Sequence, residues 1–365
     1  MRIGIMTFPN MTSYGAVLQM YGLSYAIRQL GADAEVIHYC NPHMKAKKHT
    51  GAMRGRSGLT AAARLYASNL LHMRQILGFR NFEKRIPKYP ARPTDDPAVL
   101  AQIASRYSGI VCGSDQVWNP HITDTDISFF LNFCGPETKR ISYAPSFGIF
   151  TFPEDFVRKI KPELERFSHL SVREPEGAQL LNQLLGKEIP IVLDPTFLVP
   201  QKDWVALEKP HPLTKEPYVL YFPVRKSASL LRFSRELARQ RNARLIVVEG
   251  NFLRQLRNRD ENLRYALDLS PEEWLYFVHH AQCVVTNSFH GAAFAIHYRK
   301  DFYLELSSST NSRLEQLMNL TGLQHRVVGE DCAPWFESID YDRVEALLAP
   351  WRRASADYLR QSIGL

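Results

Sequence analysis

The residues best suited to chemistry in this 365-residue sequence lie where predicted strands end. The strongest case is the segment VVTNSFHGAAFAI, in which an apolar strand ends in Asn287-Ser288 and His290-Gly291 opens a helix. Histidine often serves as a general acid or base, and a helix N-terminus receives anions. Gly291 lacks a side chain, so a ligand or another backbone segment can approach it closely. The segment predicts proton transfer by His290 on an anionic substrate, with a structural histidine as the alternative.

A second loop with polar residues is GSDQVWNP, which follows the apolar strand YSGIVC. The backbone N–H groups around Ser114 can receive an anion, and the Asp115 carboxylate stands at the end of the strand. Asp115 can act there as a base, or it can be an ordinary helix cap or turn residue. Trp118 is predicted either to stack on a sugar ring or to belong to the core.

Two further loops carry charged residues after predicted strands. In SVREPEG, the planar guanidinium of Arg173 suits a carboxylate or a phosphate. A salt bridge from Arg173 to Glu174 or Glu176 is the alternative. In VLDPTF, Asp194 precedes a proline and is predicted to cap the next turn.

Two runs of alternating strands and helices position these loops. The first begins with the strand RIGIMTF, a helix over residues 15–30 and the strand AEVIHY, which implies a parallel sheet. The second begins after a proline-rich break between residues 195 and 217 and includes the strands PYVLYFPV, ARLIVVEG and QCVVTNS. The predicted fold is α/β, with two Rossmann-like domains facing a cleft. Their boundaries are residues 1–200, with a basic insert at 44–90, and residues 201–365.

Local signals also mark individual helices. The residues from Pro175 to Leu185 form a helical stretch with proline at its favoured first position. A second helix is predicted from Ala228 to Gln240. Ser270-Pro-Glu-Glu273 predicts a helix start, because serine caps the helix and glutamate at the third position completes a capping box.

The composition is that of a globular protein with an excess of positive charge. Hydrophobic residues make up 45% of the chain and charged residues 22%, and the net charge of +8 favours anionic partners. The excess is concentrated between Met44 and Tyr89, a segment with eleven Lys or Arg residues and one acid, Glu83. An amphipathic stretch from Leu59 to Leu77 lies within it. Surface solvation explains such a run, and contact with an anionic membrane surface is the alternative.

Several function classes lack their sequence signatures. The chain has no G-x-G-x-x-G after its first strand, no Walker loop and no G-x-S-x-G elbow. Its five cysteines form no C-x-x-C pair, so we expect no metal, no disulfide and inert thiols at Cys112 and Cys283. The opening MRIGIMTFPN lacks the apolar run of a signal peptide, and no run approaches the roughly 20 residues that span a membrane. We therefore expect a cytoplasmic location, with the basic segment as a candidate for peripheral contact at the inner membrane face.

Seven motifs, in order, resemble the polysaccharide pyruvyl transferase family: GIMTFPNMTSYGAVLQMYGL, GSDQVWNP, ISYAPSFG, SVREPEG, VLDPTF, TNSFHGAAFAI and NSRLEQLMNLTGL. The resemblance runs from residue 1 to about residue 327. It implies a fold similar to the GT-B glycosyltransferases and no cofactor, with phosphoenolpyruvate as the co-substrate. It also implies transfer of a pyruvyl group, as a ketal, to a cell-envelope glycan or its lipid-linked precursor.

The resemblance assigns roles to single residues. His290 matches the histidine proposed as the catalytic acid in the family, and Arg173 matches an arginine that binds phosphoenolpyruvate. Asp115 is implied to face the cleft, where a carboxylate can take the proton of the attacking hydroxyl. From the loops themselves we also expect Ser114 and Trp118 beside Asp115, and Asn287, Ser288 and Gly291 beside His290, to contribute to substrate binding.

One position departs from the family pattern. Many members have Arg-Leu-His where this chain has Ser288-Phe289-His290, and that arginine helps to hold the donor. We expect Arg313 to supply the missing charge, with Arg299 and Lys300 as weaker candidates.

Two other functions fit the same sequence. A GT-B glycosyltransferase with a nucleotide-sugar donor would share the fold and use a histidine and an arginine equally well. A non-catalytic protein could bind nucleic acid or membrane through the basic segment. Because the chain shows no nucleic-acid module and no basic–aromatic alternation, we expect no nucleic-acid partner.

Overall fold

The computed structural model describes residues 1–44, 72–149, 151–248, 260–306, 312–329 and 332–365. Within the predicted basic insert, residues 45–71 lie outside the described part of the chain. This range includes most of the amphipathic stretch that begins at Leu59.

We number the strands and helices in chain order. The first half of the chain contains β1 (Arg2–Met6), α1 (Tyr14–Gln29), β2 (Asp33–Tyr39), α2 (Met73–Glu83), β3 (Lys88–Thr94), α3 (Pro97–Ala104), β4 (Gly109–Asp115), α4 (Pro120–Thr123), β5 (Lys139–Pro145), α5 (Glu154–Leu164) and α6 (Pro175–Leu185). The second half contains α7 (Gln201–Val205), β6 (Tyr218–Phe222), α8 (Ala228–Gln240), β7 (Arg244–Val248), β8 (Leu263–Ala266), α9 (Pro271–His280), β9 (Cys283–Thr286), α10 (Phe289–His297), β10 (Phe302–Leu304), α11 (Ser312–Thr321) and α12 (Tyr341–Ile363).

The described residues divide into two compact units. Unit 1 contains residues 1–44, 83–149, 151–199 and 350–365, and unit 2 contains residues 72–82, 200–248, 260–306, 312–329 and 332–349. The chain passes from unit 1 to unit 2 at residue 200. The predicted boundaries, 1–200 and 201–365, differ from this division in two places.

The first difference is the segment 72–82, which packs in unit 2 although it precedes β3. Arg74 on α2 forms ion pairs with Glu273 and with Asp268, the latter at 3.3 Å. A Cβ added to Gly78 would lie 2.7 Å from the side chain of Ser270, so α2 approaches the start of α9 closely. The first part of α2 therefore contacts the start of α9, which lies about 190 residues later in the sequence.

The second difference is the end of α12, which belongs to unit 1. Leu359 and Ile363 are buried, and the Ser355 hydroxyl accepts a hydrogen bond of 2.9 Å from the N–H of Leu193. The Tyr358 hydroxyl donates to the carbonyl of Ser142 at 2.8 Å. These contacts join residues far apart in sequence, which explains why a boundary drawn along the chain missed them.

The sheet of unit 1 is parallel, with the strand order β3-β2-β1-β4-β5. Its central strands are buried apolar runs, as expected for a parallel sheet covered on both faces. Strands β2 and β3 are added on one side of β1, and β4 and β5 are then added on its other side. The order therefore reverses between β1 and β4, and in such sheets ligands bind beyond the carboxyl ends of the strands at this switch point.

The sheet of unit 2 is also parallel, with the strand order β10-β9-β6-β7-β8. Phe222 at the end of β6 is paired with Thr286 at the end of β9. The order reverses between these two strands, so the switch point of unit 2 lies between the loops that follow β6 and β9.

The two cysteines that we expect to be inert lie in buried strands. Cys112 on β4 and Cys283 on β9 are fully buried, and the cysteines that the structure describes are all free thiols. Burial raises the pKa of the Cys283 thiol to about 12, so it stays protonated near neutral pH. In the part of the chain that is described, no helix combines the length and apolar character that a membrane span requires.

Candidate active site

Asp115 lies at the carboxyl end of β4, at the switch point of unit 1. Ser114 and Asp115 both have positive φ angles, of 36° and 67°, which side chains other than glycine rarely adopt. Such residues cost about 1 to 3 kcal/mol each and persist where the surrounding structure fixes them. The Asp115 carbonyl accepts from the N–H of Ser146 at 2.8 Å, and its carboxylate accepts from the N–H of Gln116 at 2.9 Å. The backbone thus turns sharply and holds the half-buried carboxylate at the strand end.

Arg173 is buried beside this turn, with 4% of its surface exposed. Its guanidinium donates to the Ser114 hydroxyl and forms an ion pair of 2.8 Å with Asp194. The Ser114 hydroxyl lies 3.1 Å from the same carboxylate. The expected capping by Asp194 is also present, because its other oxygen accepts from the N–H of Thr196 at 3.0 Å. The ion pair of Arg173 is therefore made with Asp194 rather than with Glu174 or Glu176, the partners considered from the sequence.

The Ser114 side chain is occupied within this cluster. Its hydroxyl accepts from Arg173 and lies within hydrogen-bonding distance of Asp194, so it contributes to the position of the buried ion pair. What Ser114 can still offer a substrate is its backbone, at the turn that ends β4.

Trp118 is a core residue, and the expectation that a sugar ring stacks on it is wrong for this structure. The indole is fully buried, stacks on Phe130 at a centroid distance of 5.0 Å and meets the edges of Phe147 and Phe167. Its Nε1–H donates to the carbonyl of Phe129 at 3.0 Å. The sequence motif could not show this, because the surrounding rings come from three later segments of the chain.

In unit 2 the ends of β6 and β9 are tied by side chains of the loop before α10. The Thr286 hydroxyl donates to the carbonyl of Phe222 at 2.6 Å and accepts from the N–H of Ser288 at 3.0 Å. The Asn287 amide oxygen accepts from the N–H groups of Val224 and Arg225 at 2.8 and 3.3 Å. Its amide nitrogen donates to the carbonyl of Arg225 at 2.8 Å. Asn287 therefore acts on the neighbouring backbone, which the sequence alone did not suggest.

His290 lies in the first turn of α10, where the sequence predicted it. Ser288 caps this helix, since its hydroxyl accepts from the N–H of Gly291 at 3.3 Å. The imidazole is 7% exposed and meets the edge of the Phe289 ring at 5.2 Å. A nearly buried histidine at the switch point of a parallel sheet is well placed for proton transfer to a bound ligand.

Gly291 is required by packing at the turn into α10. A Cβ added at this position would lie 2.5 Å from the Thr286 hydroxyl and 3.1 Å from the Phe222 ring. The absence of a side chain therefore lets α10 approach the ends of β6 and β9. This agrees with one of the two explanations offered by the sequence, the close approach of another segment.

The cations proposed to replace the family arginine occupy different settings. Arg313 lies in the first turn of α11, which packs against α10. Arg299 forms an ion pair with Asp342. Lys300 is partly buried, and burial lowers the pKa of its ammonium. Arg313 remains the better of the three candidates.

Among the described residues, one group of side chains could hold a metal ion. It consists of Glu208, His279 and His280, whose candidate ligand atoms lie within 4.8 Å of one another. His279 Nδ1 lies 2.9 Å from the Glu208 carboxylate, so a hydrogen-bonded pair explains the contact without a metal. Both histidines lie at the end of α9, before β9 begins, and hence away from the strand ends that carry His290.

Comparison with known proteins gives a family and a fold. A family model for polysaccharide pyruvyl transferase matches residues 14–304. This range contains the loops with Asp115, Arg173 and His290, and it ends before Arg313. A search of curated proteins gave no significant match.

Among solved structures, the chain is similar to a protein from Listeria monocytogenes assigned as a UDP-N-acetylglucosamine 2-epimerase. The TM-score is 0.54 at 12% identity, and the alignment covers 99% of this chain and 90% of that chain. It is also similar to S. aureus MnaA in its complex with UDP, with a TM-score of 0.53 at 12% identity over 95% of this chain and 87% of the other. At such identity the similarity concerns the fold alone. Together with the two parallel sheets, it confirms the predicted fold class, two Rossmann-like domains similar to the GT-B fold.

Proposed function

The chain belongs to the polysaccharide pyruvyl transferase family, and we propose that it transfers the pyruvyl group of phosphoenolpyruvate to a cell-envelope glycan or its lipid-linked precursor. The observation that carries this proposal is the position of His290. The residue lies within the matched range, in the first turn of α10 and at the switch point of the unit 2 sheet. A general acid is needed at the binding site, because phosphoenolpyruvate is an enol ester whose methylene carbon must be protonated before a hydroxyl can attack.

In the proposed reaction, two sugar oxygens replace the phosphate of phosphoenolpyruvate. The methylene carbon of phosphoenolpyruvate gains one proton, which makes the neighbouring carbon cationic. Two sugar hydroxyls bond to that carbon, and the bond to phosphate breaks. Of the two protons that the hydroxyls lose, one replaces the proton given to the methylene carbon and the other leaves with the phosphate. The products are a pyruvyl ketal and inorganic phosphate, and no redox cofactor is required.

We propose a role for each candidate side chain. His290 of unit 2 donates the proton to the methylene carbon, as a general acid. Asp115 of unit 1 accepts the proton of an attacking hydroxyl. Arg173 neutralises negative charge on the donor, although its ion pair with Asp194 means that it acts as part of a buried charge pair. Arg313 supplies the charge that Ser288 lacks.

A lipid-linked acceptor and the basic segment both favour binding of the protein to a membrane surface. A lipid-linked acceptor would lie at the inner membrane face, and the eleven cations between Met44 and Tyr89 would favour anionic lipids there. Met73 and Leu77, one helical turn apart on α2, are 42% and 47% exposed. We propose peripheral contact through this segment.

A donor assay tests the proposal. Binding of phosphoenolpyruvate to the protein is measured by calorimetry, and phosphorus NMR then follows turnover with a panel of glycan acceptors. We expect binding without acceptor, and phosphate release only with acceptor. Release of a nucleoside diphosphate from a nucleotide sugar, with no binding of phosphoenolpyruvate, would instead establish the glycosyltransferase alternative.

A further inference from the structure

The loop between β6 and α8, residues 223–227, carries cations at the switch point of unit 2. We infer that Arg225 on this loop binds an anionic group of the donor opposite His290, and that Asn287 positions it. This inference rests on the proposed function, because it takes the donor to be phosphoenolpyruvate. It adds a residue that the sequence did not single out.

The first argument is topological. β6 and β9 are parallel neighbours that end together, with Phe222 paired with Thr286. After β6 the chain continues towards β7, and after β9 it continues towards β10 on the other side. The two loops therefore separate at the carboxyl edge, where parallel sheets bind their ligands. His290 follows one loop and Arg225 lies in the other.

The second argument is the way the loop is held. Asn287, which is 5% exposed, bonds to the backbone N–H and the backbone C=O of Arg225, 62 residues away in sequence. At the other end of the loop, the Ser227 hydroxyl donates to the Glu305 carboxylate at 2.7 Å and caps α8. The backbone of residue 225 is thus fixed from both sides, whereas its side chain is exposed.

The third argument is chemical. Phosphoenolpyruvate carries a phosphate and a carboxylate, and the guanidinium of arginine matches either group with two parallel hydrogen bonds. Because the backbone of residue 225 is already fixed, only its side chain has to become ordered on binding, which lowers the entropy lost.

Calorimetric titration of phosphoenolpyruvate into four proteins tests the inference. Arg225→Ala should weaken binding at least tenfold relative to the unmutated chain, and Arg225→Lys should recover part of the loss. Lys226→Ala is the matched control, because it removes the same charge from the adjacent exposed position, and it should stay within about threefold. The contacts of Asn287 are made with the backbone of residue 225, so Arg225→Ala leaves their atoms in place, and thermal unfolding of each variant checks its stability.

Asn287→Ala tests the positioning role separately, because it keeps every cation. We expect weaker donor binding together with faster hydrogen exchange at the amides of Val224 and Arg225, whose acceptor it removes. Faster exchange with unchanged donor binding would overturn the positioning role.

The outcomes separate this inference from the proposed function. If the unmutated protein binds phosphoenolpyruvate and Arg225→Ala binds it equally well, the inference is overturned and the proposed function stands. Equal losses in Arg225→Ala and Lys226→Ala would show a general field effect and would also overturn it. If the unmutated protein does not bind phosphoenolpyruvate, both are overturned.

Discussion

At the scale of single residues, a buried ion pair complicates the interpretation of an Arg173 variant. Arg173 and Asp194 form a buried ion pair that includes Ser114. Removing one partner of such a pair costs about 3 to 5 kcal/mol, because it leaves a charge buried without compensation. Loss of activity in an Arg173 variant would therefore report a damaged unit 1 as readily as a lost donor contact.

The first residue-scale prediction concerns His290 as the general acid. His290→Ala should lower turnover roughly 100-fold or more, within the range that a general acid contributes. Donor binding should change little, because the imidazole acts in the transition state. Steady-state phosphate release gives the turnover, and calorimetry gives the donor affinity.

His297 provides the matched control for this prediction. It lies at the other end of the same helix and is 8% exposed, close to the 7% of His290. His297→Ala should therefore retain most of the turnover, even if both variants lose stability. Similar turnover in the two variants would return His290 to a structural role.

At the scale of elements, the turn from β9 to α10 depends on contacts within a few residues and on contacts with β6. The Thr286 hydroxyl connects the two strand ends, Ser288 caps the helix, and Gly291 allows the helix to pack closely. These three residues stabilise the backbone that carries His290. The turn is accordingly sensitive to added volume at Gly291.

Gly291→Ala tests this packing. The added Cβ would overlap the Thr286 hydroxyl at 2.5 Å, and overpacking of this kind costs about 1 to 3 kcal/mol. Alanine also favours a helix over glycine by up to about 1 kcal/mol, so we expect a net loss of about 1 to 2 kcal/mol in the free energy of unfolding. Denaturant unfolding gives the value.

Gly329→Ala is the control in the same unit, because its added Cβ would meet only the Cys332 sulfur at an ordinary 3.5 Å. Its free energy of unfolding should stay within about 0.5 kcal/mol of the unmutated chain. Stabilisation by Gly291→Ala would mean that helix propensity outweighs the overlap and that Thr286 can move.

At the scale of the whole molecule, α12 shows that the two units are not two consecutive stretches of sequence. Its residues before 350 belong to unit 2 and those from 350 onward to unit 1. The change falls at Pro350, inside the helix, where proline removes a backbone hydrogen bond. The end of the chain therefore contributes to the stability of the unit that begins it.

Two leucines of α12 test this division, since both are fully buried and they lie in different units. Leu359→Ala should destabilise unit 1, and Leu348→Ala should destabilise unit 2, each by about 2 to 5 kcal/mol. Hydrogen exchange measured by mass spectrometry assigns the loss of protection to peptides of one unit. The same peptides losing protection in both variants would contradict the division at Pro350.

The sequence by itself determined the features that depend on neighbours along the chain. Pro175–Leu185 and Ala228–Gln240 are helices with the predicted limits. The capping box of Ser270 and Glu273 is present with both of its hydrogen bonds. The alternation of strands and helices was enough to predict two Rossmann-like domains, and ordered motifs were enough to indicate the family. All of these signals act within one or two helical turns, or repeat along the chain.

Only the tertiary structure decided which side chains meet. β3 and β8 are strands through pairing with neighbours rather than through an apolar pattern of their own, and the sequence did not predict them. The pairing of Arg173 with Ser114 spans 59 residues, and that of Asn287 with Arg225 spans 62. The physical reason is that a polar side chain needs a partner once it is buried, and burial is a property of the assembled sheet. The residues that position the candidate site can therefore be identified only from the tertiary structure, in which distant strand ends come together.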